Sequence, residues 1–143
     1  MPARTTSTYL LDTNACIALI NGTPSAVRAN FQKKLDRNAL IFVSSISTFE
    51  LWYGVEKSVY RQANTVRLRT FFSGPLQLLS FDDEDARIAG GLRASLEKMG
   101  KPIGAYDLLI AGQAVRREST LVTANVREFR RIEGLHWEDW SRS

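Results

Sequence analysis

An apolar run that ends in a carboxylate constrains this chain more than any other feature. Tyr9, Leu10 and Leu11 make the run and Asp12 closes it; Thr13 and Asn14, both turn and cap residues, lead into Ala15, Cys16, Ile17, Ala18, Leu19 and Ile20. A short continuous apolar run suits a strand covered on both faces in a parallel sheet. The stretch after Asp12 reads as a mostly buried helix stopped at Asn21-Gly22, since glycine readily takes the left-handed conformation that ends helices. In an open sheet of this kind ligands bind beyond the carboxyl ends of the strands, where Asp12 would stand. The competing reading is that Asp12 caps the helix behind it, because Asp is a favoured N-cap. This stretch alone leaves both readings open.

The rest of the chain continues the alternation. Leu40 to Val43 is a second run of strand length closed by Ser44-Ser45-Ile46-Ser47, Leu76 to Leu79 a third, Leu121 to Thr123 a fourth and Leu135 to Trp137 a fifth. Between them, helices are expected from Thr23-Pro24-Ser25 with Thr23 as cap, over Thr48 to Lys57, Arg61 to Phe72, Asp82 to Met99 and Tyr106 to Arg117, with a helical turn at Glu128 to Ile132. Strands alternating with helices predict a three-layer α/β/α domain around a mainly parallel four- to five-stranded sheet. Two successive helices between the third and fourth strands cannot both run straight down the sheet, so one must lie obliquely.

At 143 residues the chain has the length of a single domain spanning 1–143, with residues 1–7 read as a disordered N-terminal extension. Such a length buries roughly two thirds of the unfolded surface without disulfides. Cys16 is the sole cysteine and sits in an apolar helix, which suits a buried hydrophobe in a reducing compartment. No apolar segment approaches the roughly 20 residues of a membrane span, and no signal core follows the N-terminus. A soluble cytoplasmic protein without a membrane partner is expected. The net charge of +4 is compatible with a polyanionic partner.

In this topology Asp12 follows the first strand, Glu50 lies in the first turn of the helix after the second, Asn125 follows the fourth, and Asp107 opens the helix feeding the fourth. All face one sheet edge. Each has a local explanation as well: Ser47-Thr48-Phe49-Glu50 spells a capping box, Asp107 can sit on a helix dipole, and Asn125 can be a turn residue. Jointly the local explanations weaken. Carboxylates about 4 Å apart repel by roughly 4 kcal/mol at an effective dielectric of 20, so a cluster needs a counter-charge. A divalent cation supplies one. Oxygen ligands without His or Cys select hard ions, Mg2+ first and Mn2+ second.

These residues resemble a known family, the PIN-domain ribonucleases, and within it the VapC-type toxins of bacterial toxin-antitoxin pairs. The resemblance rests on Leu11-Asp12-Thr13-Asn14, on the stretch from Ser44 to Lys57, on Ile103-Gly104-Ala105-Tyr106-Asp107-Leu108-Leu109-Ile110-Ala111-Gly112, and on Leu121-Val122-Thr123-Ala124-Asn125 through Glu128-Phe129. It implies a metal-dependent endoribonuclease that hydrolyses structured RNA, often a tRNA, and that a VapB-type antitoxin holds inactive. A homodimer is usual in that family. Asp12, Glu50 and Asp107 match the acidic metal-site positions, Asp12 and Asp107 as the most direct Mg2+ ligands. Many members have Asp where this chain has Asn125, so either Asn125 contributes a neutral oxygen or Glu128 helps nearby, and a single well-occupied ion site is expected. Thr123 is a candidate to orient a water or phosphate oxygen. Arg127, Arg130, Arg131, Lys33, Lys34, Arg67 and Arg69 are candidates for phosphate contacts. The aromatics Phe49, Trp52, Tyr53, Phe71 and Phe72 exceed what one core stripe needs and are candidates for a groove that receives the antitoxin.

Other readings meet obstacles. A haloacid dehalogenase-type phosphatase needs a second Asp where Asn14 stands. A response-regulator receiver needs a phosphoacceptor Asp after its third strand and a Lys after its fifth, and neither is present. No Gly-rich phosphate loop with a Lys follows any strand. The one histidine, His136, is far along the chain from any plausible Ser nucleophile. Two rivals remain: a catalytically inactive RNA- or protein-binding α/β module, which Asn125 keeps open, and a metal-dependent DNA nuclease.

Overall fold

Alternation along β1 (Thr8–Leu11) divides the molecule into two cores. In the computed structural model, which describes residues 6–142, Tyr9 and Leu11 join one apolar cluster and Leu10 the other. Successive strand residues point to opposite faces, so a strand whose neighbours on both faces are apolar must itself be apolar throughout. The flanking strands repeat the division. Ile41 and Val43 of β2 (Leu40–Ser44) lie with Tyr9 and Leu11, whereas Leu121 of β4 (Thr120–Val122) lies with Leu10.

The remaining elements are α1 (Thr13–Asn21), α2 (Ser25–Asp36), α3 (Ser45–Lys57), α4 (Arg61–Phe72), β3 (Gln77–Leu79), α5 (Asp83–Lys98), α6 (Ala105–Arg116), α7 (Val126–Phe129) and β5 (Trp137–Glu138). The five strands pair in parallel in the order β3-β2-β1-β4-β5. Helices α1 to α4 supply Cys16, Leu19, Val27, Leu51, Val55 and Leu68 to one core; α5, α6 and α7 supply Leu96, Leu108, Ile110, Ala111, Ala114 and Phe129 to the other. The expected three-layer parallel architecture is therefore the observed one. The chain moves outward from β1 to β3 on one side and returns to β4 on the other, so the order reverses between β1 and β4, the place where such sheets open a crevice.

Several boundaries differ from the expectation for identifiable reasons. Helix α2 begins at Ser25 with Pro24, not Thr23, in the cap position, and without a side-chain cap bond. Helix α3 begins three residues earlier than expected because the Ser44 hydroxyl accepts from the Ile46 amide at 3.1 Å, which makes Ser44 the cap. Strand β5 falls at Trp137–Glu138, Leu135 being turned into the core, and α7 starts at Val126. Between β3 and β4 the chain folds back on itself, α5 packing along α6. The close approach is made at Gly112, where an added Cβ would meet the Ala89 Cβ at 2.6 Å. Asp82 and Asp85 form a reciprocal capping box at the start of α5. Asp85 is fully buried there, held by Arg116 and Arg117 at 3.3 Å each.

Of the expected N-terminal extension, residues 1–5 lie outside the described residues, while the Ser7 carbonyl already accepts from the Leu40 amide at 2.9 Å. Cys16 is buried, and burial pushes its thiol well above the ordinary range, as befits a packing residue. His136 is exposed and offers its carbonyl to the Leu121 amide. Among the described residues no helix is long and apolar enough to cross a membrane.

Candidate active site

Asp12 is the first residue past β1 and lies at the point where the strand order reverses. Its amide donates to the Val122 carbonyl at 3.0 Å, tying it to β4. Its carboxylate is 3% exposed; Oδ1 accepts from the Ala15 amide at 2.7 Å, and a second bond comes from the Thr123 hydroxyl. Both sequence readings of Asp12 hold together, since it caps α1 and also faces the crevice. Burial raises its pKa above the ordinary carboxylate value, opposed by the bonds from Thr123 and Ala15 and aided by the charges of Glu50 and Asp139. Thr123 is itself buried and its Oγ1 accepts from the Asn125 amide at 2.9 Å. It therefore orients Asp12 and the turn after β4 from inside the fold.

Glu50 lies in the second turn of α3, not the first, and the expected capping box is not formed. Its Oε1 accepts instead from the Thr13 hydroxyl at 2.6 Å, and Thr13 Oγ1 lies 3.0 Å from the Ser47 hydroxyl. These contacts fix α3 to the first turn of α1. Asp107 is half-buried in the first turn of α6. Its carboxyl is pushed up to about 6, by burial first and then by the charges of Asp12, Glu128 and Glu50. Acids from distant segments thus act on Asp107, as Glu50 and Asp139 do on Asp12. Asn125 donates through Nδ2 to Glu128 Oε2 at 2.9 Å, so where the resemblance leads one to expect an Asp, an amide instead holds a glutamate.

Among the described residues none of Asp12, Glu50, Asp107 and Glu128 pairs with a basic side chain, whereas buried Asp85 has two guanidinium partners. A buried carboxylate without a counter-charge is costly, and this chain meets that cost at Asp85 by pairing. No three of the site acids converge closely enough among the described residues to cage an ion by themselves. Their carboxylate oxygens are nonetheless hard donors, with no His or Cys among them. The donor set fits a hard cation.

The basic candidates divide. Lys34 is engaged with Glu138 at 3.4 Å, Arg69 lies over the Trp52 ring at 5.3 Å, and Arg131 donates to the Pro102 carbonyl at 3.2 Å. Arg67 donates to Asn21 Oδ1 at 2.8 Å beside a cleft of about 280 Å³ between α1, α3 and α4, which Glu50 also lines. Lys33, Arg127 and Arg130 project into solvent. The aromatics divide too. Trp52, Phe71 and Phe72 pack against the core, while Phe49 and Tyr53 are more than half exposed. Thr13, Ser47, Tyr106 and Asp139 are neighbours that sequence reasoning did not single out; the available signals were adjacency or helical spacing to Asp12, Glu50 and Asp107 for the first three and, for Asp139, its place just after the fifth strand.

A parallel sheet carrying acidic side chains at its carboxyl edge, none of Asp12, Glu50, Asp107 and Glu128 being paired with a base among the described residues, defines the class of α/β protein to which this chain belongs. Comparison with known proteins narrows that class. The PIN domain model matches residues 9–135. The tRNA(fMet)-specific endonuclease VapC of Salmonella typhimurium is 41% identical over 132 residues, covering 92% of this chain and 97% of the relative. The crystal structure of VapBC2 from Rickettsia felis bound to a DNA fragment from its promoter superposes with a TM-score of 0.86 at 41% identity, covering 93% of this chain and 98% of that one. DNA-bound VapBC from Salmonella typhimurium gives 0.85 at 40% identity, over 94% and 99%. The chain belongs to the PIN-domain family and, within it, to the VapC ribonucleases.

Proposed function

We propose that this protein is a Mg2+-dependent endoribonuclease toxin, with Mn2+ able to replace Mg2+, that acts in the cytoplasm on structured RNA of the tRNA class. A VapB-type antitoxin neutralises it, and toxin homodimers assemble with that antitoxin. The observation that carries the reading is that Asp12 is tied to β4 at the edge of β1, Glu50 to the first turn of α1 through Thr13 and Glu128 to Asn125 after β4, with Asp107 feeling the charges of all three and none of the four paired with a base among the described residues. Asp12 and Asp107 are the residues to hold the ion directly, with Glu50 and the Asn125–Glu128 pair around them. When bound, such an ion supplies the Lewis acidity and positive charge that phosphodiester hydrolysis needs. The chain's own part is positioning. Thr123 and the Ala15 amide aim Asp12, Thr13 aims Glu50, and Asn125 aims Glu128. The inactive-module reading drew on Asn125, and a glutamate held at that position weakens it.

Purified protein incubated with end-labelled tRNA(fMet) transcript and Mg2+ or Mn2+ tests this. Cleavage is expected to disappear with EDTA and to fall by at least a hundredfold in Asp12→Asn and Asp107→Asn, on the order of what loss of one catalytic electrostatic contact costs. Equal residual cleavage in wild type and variants would instead indicate a contaminating nuclease. Parallel DNA and 2′-deoxy-substituted RNA substrates separate a ribonuclease from a DNA nuclease.

A further inference from the structure

Phe49 and Tyr106 each stand one residue before a site acid, Glu50 and Asp107, on different helices. Their rings nonetheless meet, centroids 5.7 Å apart and tilted by 56°, while remaining 54% and 46% exposed. Helix α3 does not need Phe49 for its core, which it fills with Ser47, Leu51 and Val55. One turn on, Tyr53 is 58% exposed and carries the Lys57 ammonium 4.9 Å from its ring centroid. Phe49, Tyr53 and Lys57 therefore follow one another at four-residue spacing along one helix face, as two ring surfaces and a cation leading away from the acid cluster.

Apart from any ion it holds, that cluster offers a phosphate backbone only negative charge, and no basic side chain pairs with it among the described residues. Recognition close to it must come from groups that need no charge, and aromatic faces stack on bases regardless of sequence. We propose that the Phe49–Tyr106 pair is a stacking platform for one unpaired RNA base, and that it selects which phosphodiester lies against the carboxylates. Tyr53 and Lys57 continue the track for the adjoining nucleotide. Bases splayed out of loops are what proteins read in structured RNA, so the platform favours a loop or bulge over a continuous helix. The inference rests on the nuclease reading above and specifies the substrate feature that the same site takes.

The test uses the full chain and two probes: tRNA(fMet) transcript for steady-state cleavage, and a single-stranded RNA oligonucleotide carrying 2-aminopurine for binding in an Asp12→Asn background. Phe49→Ala and Tyr106→Ala are expected to raise KM roughly 5- to 150-fold, the span of one lost stacking contact, with a smaller change in kcat, and to abolish quenching of the 2-aminopurine. Phe49→Tyr and Tyr106→Phe are expected to restore both. Unchanged KM and unchanged quenching in the alanine variants, with wild-type cleavage intact, overturn the platform. Lost antitoxin binding with unaltered RNA parameters also overturns it and assigns the rings to a protein partner. Wild type that quenches through these rings but cleaves no RNA supports the platform and refutes the nuclease reading.

Discussion

At the scale of single residues, Asp107 carries the clearest consequence. Its carboxyl is pushed up to about 6 in the fold, chiefly by burial, against an ordinary value of 3.8. A carboxyl with a raised folded-state pKa contributes stability below its unfolded value and loses that contribution as pH rises through the folded one. In EDTA, the stability gap between Asp107→Asn and wild type is expected to shift in favour of the variant between about pH 4 and pH 6, and to stay constant above. Thermal melts across pH 3.5 to 8 measure it, and parallel curves contradict it. Thr13 offers a second handle. Removing the 2.6 Å bond to Glu50 in Thr13→Val leaves every carboxylate in place, yet lost orientation around a metal ligand typically costs about 10- to 100-fold in affinity or activity. Cleavage rate against Mg2+ concentration reads that loss. Asp12 was legible in the sequence because an apolar strand does not end in a carboxylate without cause. Glu50 was expected in the first turn of the helix after β2 and lies one turn further along it, and the capping box that its surroundings spell says nothing of a threonine thirty-seven residues away.

At the scale of elements, strand positions and helix identities were readable from apolar runs and helical spacing, but several helix starts were not. Ser44, Ser45, Ser47 and Thr48 are all acceptable caps, and propensity cannot choose among them. The sheet chooses: Ser44 pairs with Leu79 across β2 and β3, which leaves it extended and ready to cap. The α5–α6 pair was foreseen only as a difficulty, and packing resolves it. Its contact depends on Gly112, whose added Cβ would lie 2.6 Å from the Ala89 Cβ and 2.7 Å from its Cα. Two effects compete in Gly112→Ala. Helix propensity favours alanine by about 1 kcal/mol, whereas forcing a methyl against backbone costs typically 1–3 kcal/mol or more. Steric conflict is expected to win, lowering Tm by several degrees. A raised Tm would mean that α5 moves aside freely.

At the scale of the whole molecule, strand order was not readable, because β3-β2-β1-β4-β5 follows from which faces the helices cover and no local pattern encodes it. Its effect on the site is large. Only because β4 returns beside β1 do Asp12, Thr123 and Asn125 meet, and only because α3 and α6 lie on opposite faces do Glu50 and Asp107 approach from two sides. The overall +4 charge and the acidic crevice are complementary features, long-range attraction for a polyanion and short-range demand for a cation. The central claim is that these carboxylates form one hard-cation site. Titration of the purified protein with Mn2+ followed by electron paramagnetic resonance tests it most directly. One ion bound per chain, displaced by Mg2+ and lost in both Asp12→Asn and Asp107→Asn, is the result this account predicts; Mn2+ binding that is absent, or unchanged by either substitution, would contradict it.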